Sequence, residues 1–140
     1  MIVLVNGLLS SVENELREIF KKDENVIVAY LFGSRAKDDA VSGSDFDIAL
    51  LLSKVPEDQL DYILHLIDKL SQVIGGDRID LVVLNKAPPL LKYQVIKHGR
   101  VIYSRDNKLR VLFEARAIDE YLDFSRVIER YYECLKRRFT

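Results

Sequence analysis

The sequence predicts one α+β domain, in which a small β-sheet packs against helices and a long helix ends the chain. Three observations lead there. The apolar runs Val26 to Phe32, Phe46 to Leu52 and Ile79 to Leu84 are strand-sized and almost free of polar alternation, as strands covered on both faces are. Apolar residues recur at helical intervals before and between them. From Asn107 to Arg138 one amphipathic pattern runs without a break.

Taken in order, Ser10-Ser11-Val12-Glu13 has the spacing of a capping box, and Val12, Leu16, Ile19 and Phe20 follow at helical intervals up to Lys21-Lys22. The first helix is expected there. Val26 to Phe32 is the first strand and ends at Gly33. Residues 34–39 can begin a short helix, Ser42-Gly43-Ser44 is a turn, and Phe46 to Leu52 is the second strand, with Asp45 and Asp47 intruding at its start. Pro56 suits the first turn of a helix whose buried stripe is Leu60, Ile63, Leu64, Ile67 and Leu70, and Gly75-Gly76 ends it. Ile79 to Leu84 is the third strand, broken only by Asp80. Pro88-Pro89 opens a helix through about Lys97, capped by Gly99, and Val101-Ile102-Tyr103 is a short strand. The last helix carries Leu109, Phe113, Ala117, Tyr121, Ile128, Tyr132 and Leu135 as a stripe. Leu112, Ile118, Leu122, Phe124, Val127 and Tyr131 widen it beyond what one small sheet obviously needs, so part of it either meets another chain, a second copy or a partner, or packs on its own domain.

Composition narrows the function. The chain has 140 residues, 21 Lys+Arg against 22 Asp+Glu, a net charge of -1 and one cysteine. Folding on this scale buries about two-thirds of the unfolded surface, so neither disulfides nor a structural metal are needed. Cys134 alone excludes an internal disulfide and, with no secretory signal, points to the cytoplasm. The apolar runs fall far short of the roughly 20 residues that span a bilayer. A balanced charge speaks against clamping long nucleic acid, where phosphate neutralisation supplies most of the affinity.

The informative stretch runs from Gly33-Ser34-Arg35 to Ser44-Asp45-Phe46-Asp47. Gly33 lets backbone approach a ligand, and Ser34 would offer a hydroxyl beside the unpaired N–H groups of a helix start, a cradle for phosphate. Taken alone, a Gly-Ser pair after a strand reads as well as an ordinary turn and helix cap. Asp45 and Asp47 are two apart on a strand, so both side chains leave the same face. Carboxylates held that close repel, and a shared Mg²⁺ or Mn²⁺ relieves the repulsion. Asp80 is a third acid in an apolar strand, where a carboxylate needs a metal, a base such as Arg78, or the edge of the sheet.

With these residues in view, the chain resembles the nucleotidyltransferase superfamily, whose fold is related to the polymerase β palm. The Gly33-Ser34 pair, ten residues, Asp45-x-Asp47 and a later strand carrying Asp80 follow its pattern. The Gly33-Ser34-Arg35-Ala36 turn, the Ser44-Asp45-Phe46-Asp47-Ile48 ending and the short length resemble more narrowly the minimal nucleotidyltransferases, or MNT proteins. The likeness covers residues of about 10–105, with the helix at about 107–138 left as a partner surface, the whole of 1–140 forming one domain. It implies the nucleotidyltransferase fold, a small mixed sheet flanked by helices. It further implies that Gly33 and Ser34 hold a nucleoside triphosphate with help from Arg35, that Asp45, Asp47 and Asp80 bind Mg²⁺ or Mn²⁺, and that Asp80 helps to deprotonate an acceptor hydroxyl. Lys37 is a weaker candidate for the same phosphates.

The resemblance also implies a partner. Minimal members pair with a HEPN-domain toxin and can transfer AMP from ATP to one of its tyrosines, acting as a type VII-like antitoxin. This chain lacks the Arg-to-His signature of the toxin itself, since neither His65 nor His98 follows a suitably placed arginine. Two other readings stay open: a non-catalytic antitoxin that occludes its partner, and a small-molecule nucleotidyltransferase of the aminoglycoside-modifying kind. A homo-oligomer is compatible with the wide stripe on the last helix.

Overall fold

The computed structural model describes residues 2–33, 46–75 and 79–139, with the side chains of the first helix from Ser11 onward. Their order is α1 (Ile2–Lys22), β1 (Val26–Phe32), β2 (Phe46–Leu52), α2 (Gln59–Ile74), β3 (Ile79–Val83), α3 (Pro89–His98), β4 (Arg100–Ser104) and α4 (Asn107–Phe139). The four strands form one sheet in the order β3-β2-β1-β4. β1 is antiparallel to both of its neighbours, whereas β2 and β3 are parallel. This is the mixed sheet flanked by helices that the resemblance implied.

Each strand sends alternate side chains to opposite faces. Phe46, Ile48, Leu50 and Leu52 of β2 join Leu16 and Phe20 of α1 and Leu66 and Leu70 of α2 in one core cluster. Ala49 and Leu51 face the other way and meet Val28, Tyr30, Leu84 and Val95, with Phe113 of α4 packed against them. β2 lies between two strands with both faces covered, which is why its sequence shows no polar alternation.

Several boundaries differ from the sequence expectation. α1 begins at Ile2, so Ser10 and Ser11 lie inside it rather than at its start. A continuing helix already supplies the backbone partners that a capping box would provide. α2 begins at Gln59 behind Asp58, whose carboxylate accepts the Asp61 N–H at 3.0 Å, leaving Pro56 outside the helix. The buried stripe of α2 is also rotated. Leu70 is buried and Ile67 packs on the core as expected, but Leu66, Tyr62 and Val73 complete the face while Leu60 and Leu64 face solvent. A hydrogen bond of 2.6 Å from the Tyr62 hydroxyl to Asp23 fixes that rotation. On α4, Leu109 and Tyr132 are exposed although both belong to the expected stripe, while Ala117 is buried as expected.

Gly99 ends α3 for want of space rather than for backbone freedom. A Cβ there would run into the Val95 carbonyl and lie 3.3 Å from that of Leu31, so α3 closes directly onto the end of β1. Among the described residues, no helix is long and apolar enough to cross a membrane.

Candidate active site

The C-terminal end of β1 and the N-terminal ends of β2 and β3 meet at one edge of the sheet. Phe32 is paired with Asp47, and Asp47 with Asp80. Register partners share a face, and neighbouring strands stand about 4.8 Å apart, so the two carboxylates rise side by side. One step inward the same row reads Tyr30, Ala49 and Val82. Asp47 and Asp80 therefore cap an apolar row where it reaches solvent, and both are half-buried.

Gly33 follows Phe32 and has φ 74°, a left-handed conformation that other residues adopt only with strain. A Cβ at this position would collide with the Asp47 carboxylate, its distance to Cγ being 3.2 Å. The glycine is thus required twice, by its backbone angle and by the acid beside it. Sequence reasoning singled out Gly33 for close approach to a ligand. What a side chain there would meet is a carboxylate of the same constellation.

Ser34, Arg35 and Asp45, together with Lys37, lie outside the described residues, as does Arg78. Of the three acids, the structure places Asp47 and Asp80 together. Among the described residues no group of three or more His, Cys, Asp or Glu converges as a metal cage. Two adjacent carboxylates at a solvent-facing strand end nonetheless form a donor set that fits a hard, oxygen-seeking cation such as Mg²⁺, which binds through few protein ligands and keeps room for phosphate oxygens. His65 sits exposed on α2, its Nδ1 2.9 Å from the Asp61 carbonyl oxygen, and His98 ends α3.

Two further contacts brace this end of the sheet, and the sequence reading singled out neither. Arg100 opens β4 opposite Leu31, and both of its terminal nitrogens donate to the buried carboxylate of Glu13 on α1. Tyr30, in the row beneath Asp47, donates its hydroxyl to Glu114 of α4 at 2.9 Å, and Arg110 holds the same carboxylate at 3.2 Å. Burial, reinforced by that bond to Glu114, pushes the Tyr30 phenol far above the usual tyrosine range and keeps it a neutral donor. The local signal for Glu13 was its place one turn from Arg17, to which it is also bonded; nothing local pointed to Arg100.

The polymerase beta nucleotidyltransferase family model matches residues 14–108. The chain belongs to that family. A chain of a toxin–antitoxin crystal structure with AMP-PNP superposes with a TM-score of 0.72 at 24% identity, covering 89% of this chain and 98% of that one. A chain from the complex of tri-AMPylated Shewanella oneidensis HEPN toxin with MNT antitoxin gives 0.69 at 23%, covering 91% and 98%. A chain of the MntA-HepT toxin–antitoxin gives 0.69 at 22%, with coverage of 91% and 98%. At these identities the likeness is one of fold. No curated protein matches the chain significantly.

Proposed function

We propose that this nucleotidyltransferase moves AMP from ATP to a hydroxyl acceptor, a tyrosine of a HEPN-type toxin, and serves as the antitoxin of that pair. The observation that carries the reading is the side-by-side placement of Asp47 and Asp80, with Gly33 fitted against Asp47. In this reading residues of about 10–105 form the catalytic part of one domain and the helix at about 107–138 a partner-facing element. Supporting the partner assignment, the chain shares its fold with chains of solved toxin–antitoxin complexes, one with AMP-PNP and one with a tri-AMPylated HEPN toxin.

Each residue has a defined part. The backbone at Gly33, with Ser34 and Arg35, holds and neutralises the triphosphate. Asp45, Asp47 and Asp80 are the ligands for Mg²⁺ or Mn²⁺, which when bound supplies charge stabilisation to the attacking and leaving oxygens. Asp80 accepts the proton of the acceptor hydroxyl. The hydroxyl oxygen then bonds to the α-phosphorus in line with the bond that breaks, and pyrophosphate leaves. Most of the rate gain lies in positioning, which suits a site built at strand ends rather than on long side chains.

The test is transfer of label from α-phosphate-labelled ATP with Mg²⁺ onto the co-expressed neighbouring gene product, with Asp47→Ala as control. Label on the partner that vanishes in the variant is the expected result. A stable complex that silences the partner without label, in wild type and variant alike, would leave an occluding antitoxin and overturn the transfer reading.

A further inference from the structure

α3 packs on the sheet through Leu91 and Val95, and at helical spacing the next position on that side is His98. Val95 is buried in the cluster that holds Tyr30 and Ala49, and Leu91 packs against it, but His98 is exposed. The helix has run past the end of the sheet. Leu31 pairs with Arg100, and the Leu31 carbonyl lies 3.3 Å from where a Cβ of Gly99 would stand. Two positions beyond Leu31 is Gly33, and two positions before Arg100 is His98. His98 therefore leaves α3 at the level of Gly33, on the face of the sheet that carries Asp47. The other bases at this end are engaged elsewhere. Lys97 follows Val95 by two residues, so it lies on the far side of α3, with Nζ 5.6 Å from the centroid of the Tyr93 ring. Arg100 gives both terminal nitrogens to Glu13 of α1. Among the described residues His98 has no hydrogen bond, ion pair or ring contact. The helix dipole accounts for a base in this last turn, but not for its place on the sheet-facing side.

We propose that His98 contacts the pyrophosphate portion of the bound nucleoside triphosphate, donating a hydrogen bond to the oxygens that leave with it. The inference rests on the reading of Gly33 as the triphosphate cradle and of Asp80 as the base for the acceptor. Strand order chooses the phosphates over the acceptor as its target. Across this edge come Asp80 on β3, Asp47 on β2, Phe32 and Gly33 at the end of β1, and then the junction of α3 with β4. In-line displacement puts the attacking and leaving oxygens on opposite sides of the α-phosphorus. With the acceptor at Asp80, the pyrophosphate lies towards Gly33 and His98. An imidazole suits that place because it carries an N–H donor whether neutral or charged, and a charged donor binds phosphate oxygens more strongly.

The chain has only two histidines, so chemical modification reads the contact directly. The full chain is treated with diethyl pyrocarbonate, and modification of each histidine is followed by peptide mass spectrometry. His65 is the internal control, being exposed on α2, which covers the opposite face of the sheet. With Mg²⁺ present, saturating ATP and inorganic pyrophosphate are each expected to slow modification of His98 by about five-fold or more and to leave His65 unchanged. AMP, which lacks the β- and γ-phosphates, should protect neither. Calorimetry on His98→Ala is expected to show about ten-fold weaker binding of ATP and of pyrophosphate, with His98→Gln, which keeps an N–H donor, recovering part of the loss. Position 98 is exposed, so circular dichroism should show unchanged folding. A wild type that binds ATP while His98 stays fully reactive overturns the proposal. So does protection by AMP equal to that by ATP, or unchanged affinity in His98→Ala. A wild type in which ATP protects His98 but no label is transferred keeps this contact and loses the transfer reading, whereas one that binds no nucleotide loses both.

Discussion

Asp47 and Asp80 are direct register partners on parallel strands, although 32 residues and the whole of α2 separate them in the chain. Two carboxylates fixed abreast repel in the absence of a cation. Replacing Asp47 or Asp80 with Ala is therefore expected to cut nucleotide transfer by about 100-fold or more while the chain stays folded. Chelation by EDTA should abolish transfer in wild type, and added Mg²⁺ or Mn²⁺ should restore it. Melting curves and label transfer on the same preparations check both halves. An unfolded Asp47→Ala would show that the carboxylate holds the sheet together.

Gly33 and Gly75 allow backbone strain to be separated from damage to the site. Both have positive φ, 74° and 83°, so alanine at either position is strained, at a cost of about 1–3 kcal/mol. A Cβ at Gly75 meets nothing within 4 Å, whereas at Gly33 it strikes the Asp47 carboxylate. Both alanine variants should lose stability in urea melts, but only Gly33→Ala should lose nucleotide transfer. Equal activity in the two would mean that Asp47 can move aside without consequence.

The two bonded tyrosines make stability fall in alkali. Burial, strengthened by the bonds to Glu114 and Asp23, raises the Tyr30 and Tyr62 phenols well above their ordinary value of 10.0. Above that pH the unfolded chain has lost these protons while the folded chain keeps them. The folded state then binds more protons, so stability declines as pH rises. Their contribution is complete below pH 10 and is lost progressively above it. Tyr30→Phe and Tyr62→Phe should each cost about 1 kcal/mol at pH 7 and flatten the decline between pH 10 and 12, read from urea midpoints.

What was legible in the sequence and what was not divides along a physical line. β1 and β2 were readable to the residue because both faces of each are covered, so an unbroken apolar run marks them. Gly33, Asp47 and Asp80 were readable because each breaks such a run at its end. The exact face of α2 was not, since beside Ile67 and Leu70 the exposed Leu60 and Leu64 offer as good an apolar flank as Tyr62 and Leu66. What decides between them is the Tyr62 hydroxyl meeting Asp23 on another element. Glu13 with Arg100 and Tyr30 with Glu114 join residues more than 80 positions apart, and nothing local to either partner announces the other.

Arg105 shows how much one such distant contact carries. It follows β4, yet its guanidinium lies at the end of α1, where Nη2 donates to the carbonyls of Lys21 at 2.9 Å and Asp23 at 3.1 Å and Nε to that of Val26 at 3.1 Å. Helix ends leave carbonyls without intrahelical partners, and here a side chain from across the sheet satisfies them. A lysine carries the charge but lacks the planar array of donors that reaches several carbonyls at once. Arg105→Lys should therefore recover little of the loss seen in Arg105→Ala, about 2 kcal/mol by urea denaturation. Because the contact joins α1 to the start of β1, amide exchange should quicken in the last turn of α1 and at Val26 while that of β2 and β3 stays slow. If exchange quickened evenly across the sheet, Arg105 would be supporting the whole fold rather than this one junction.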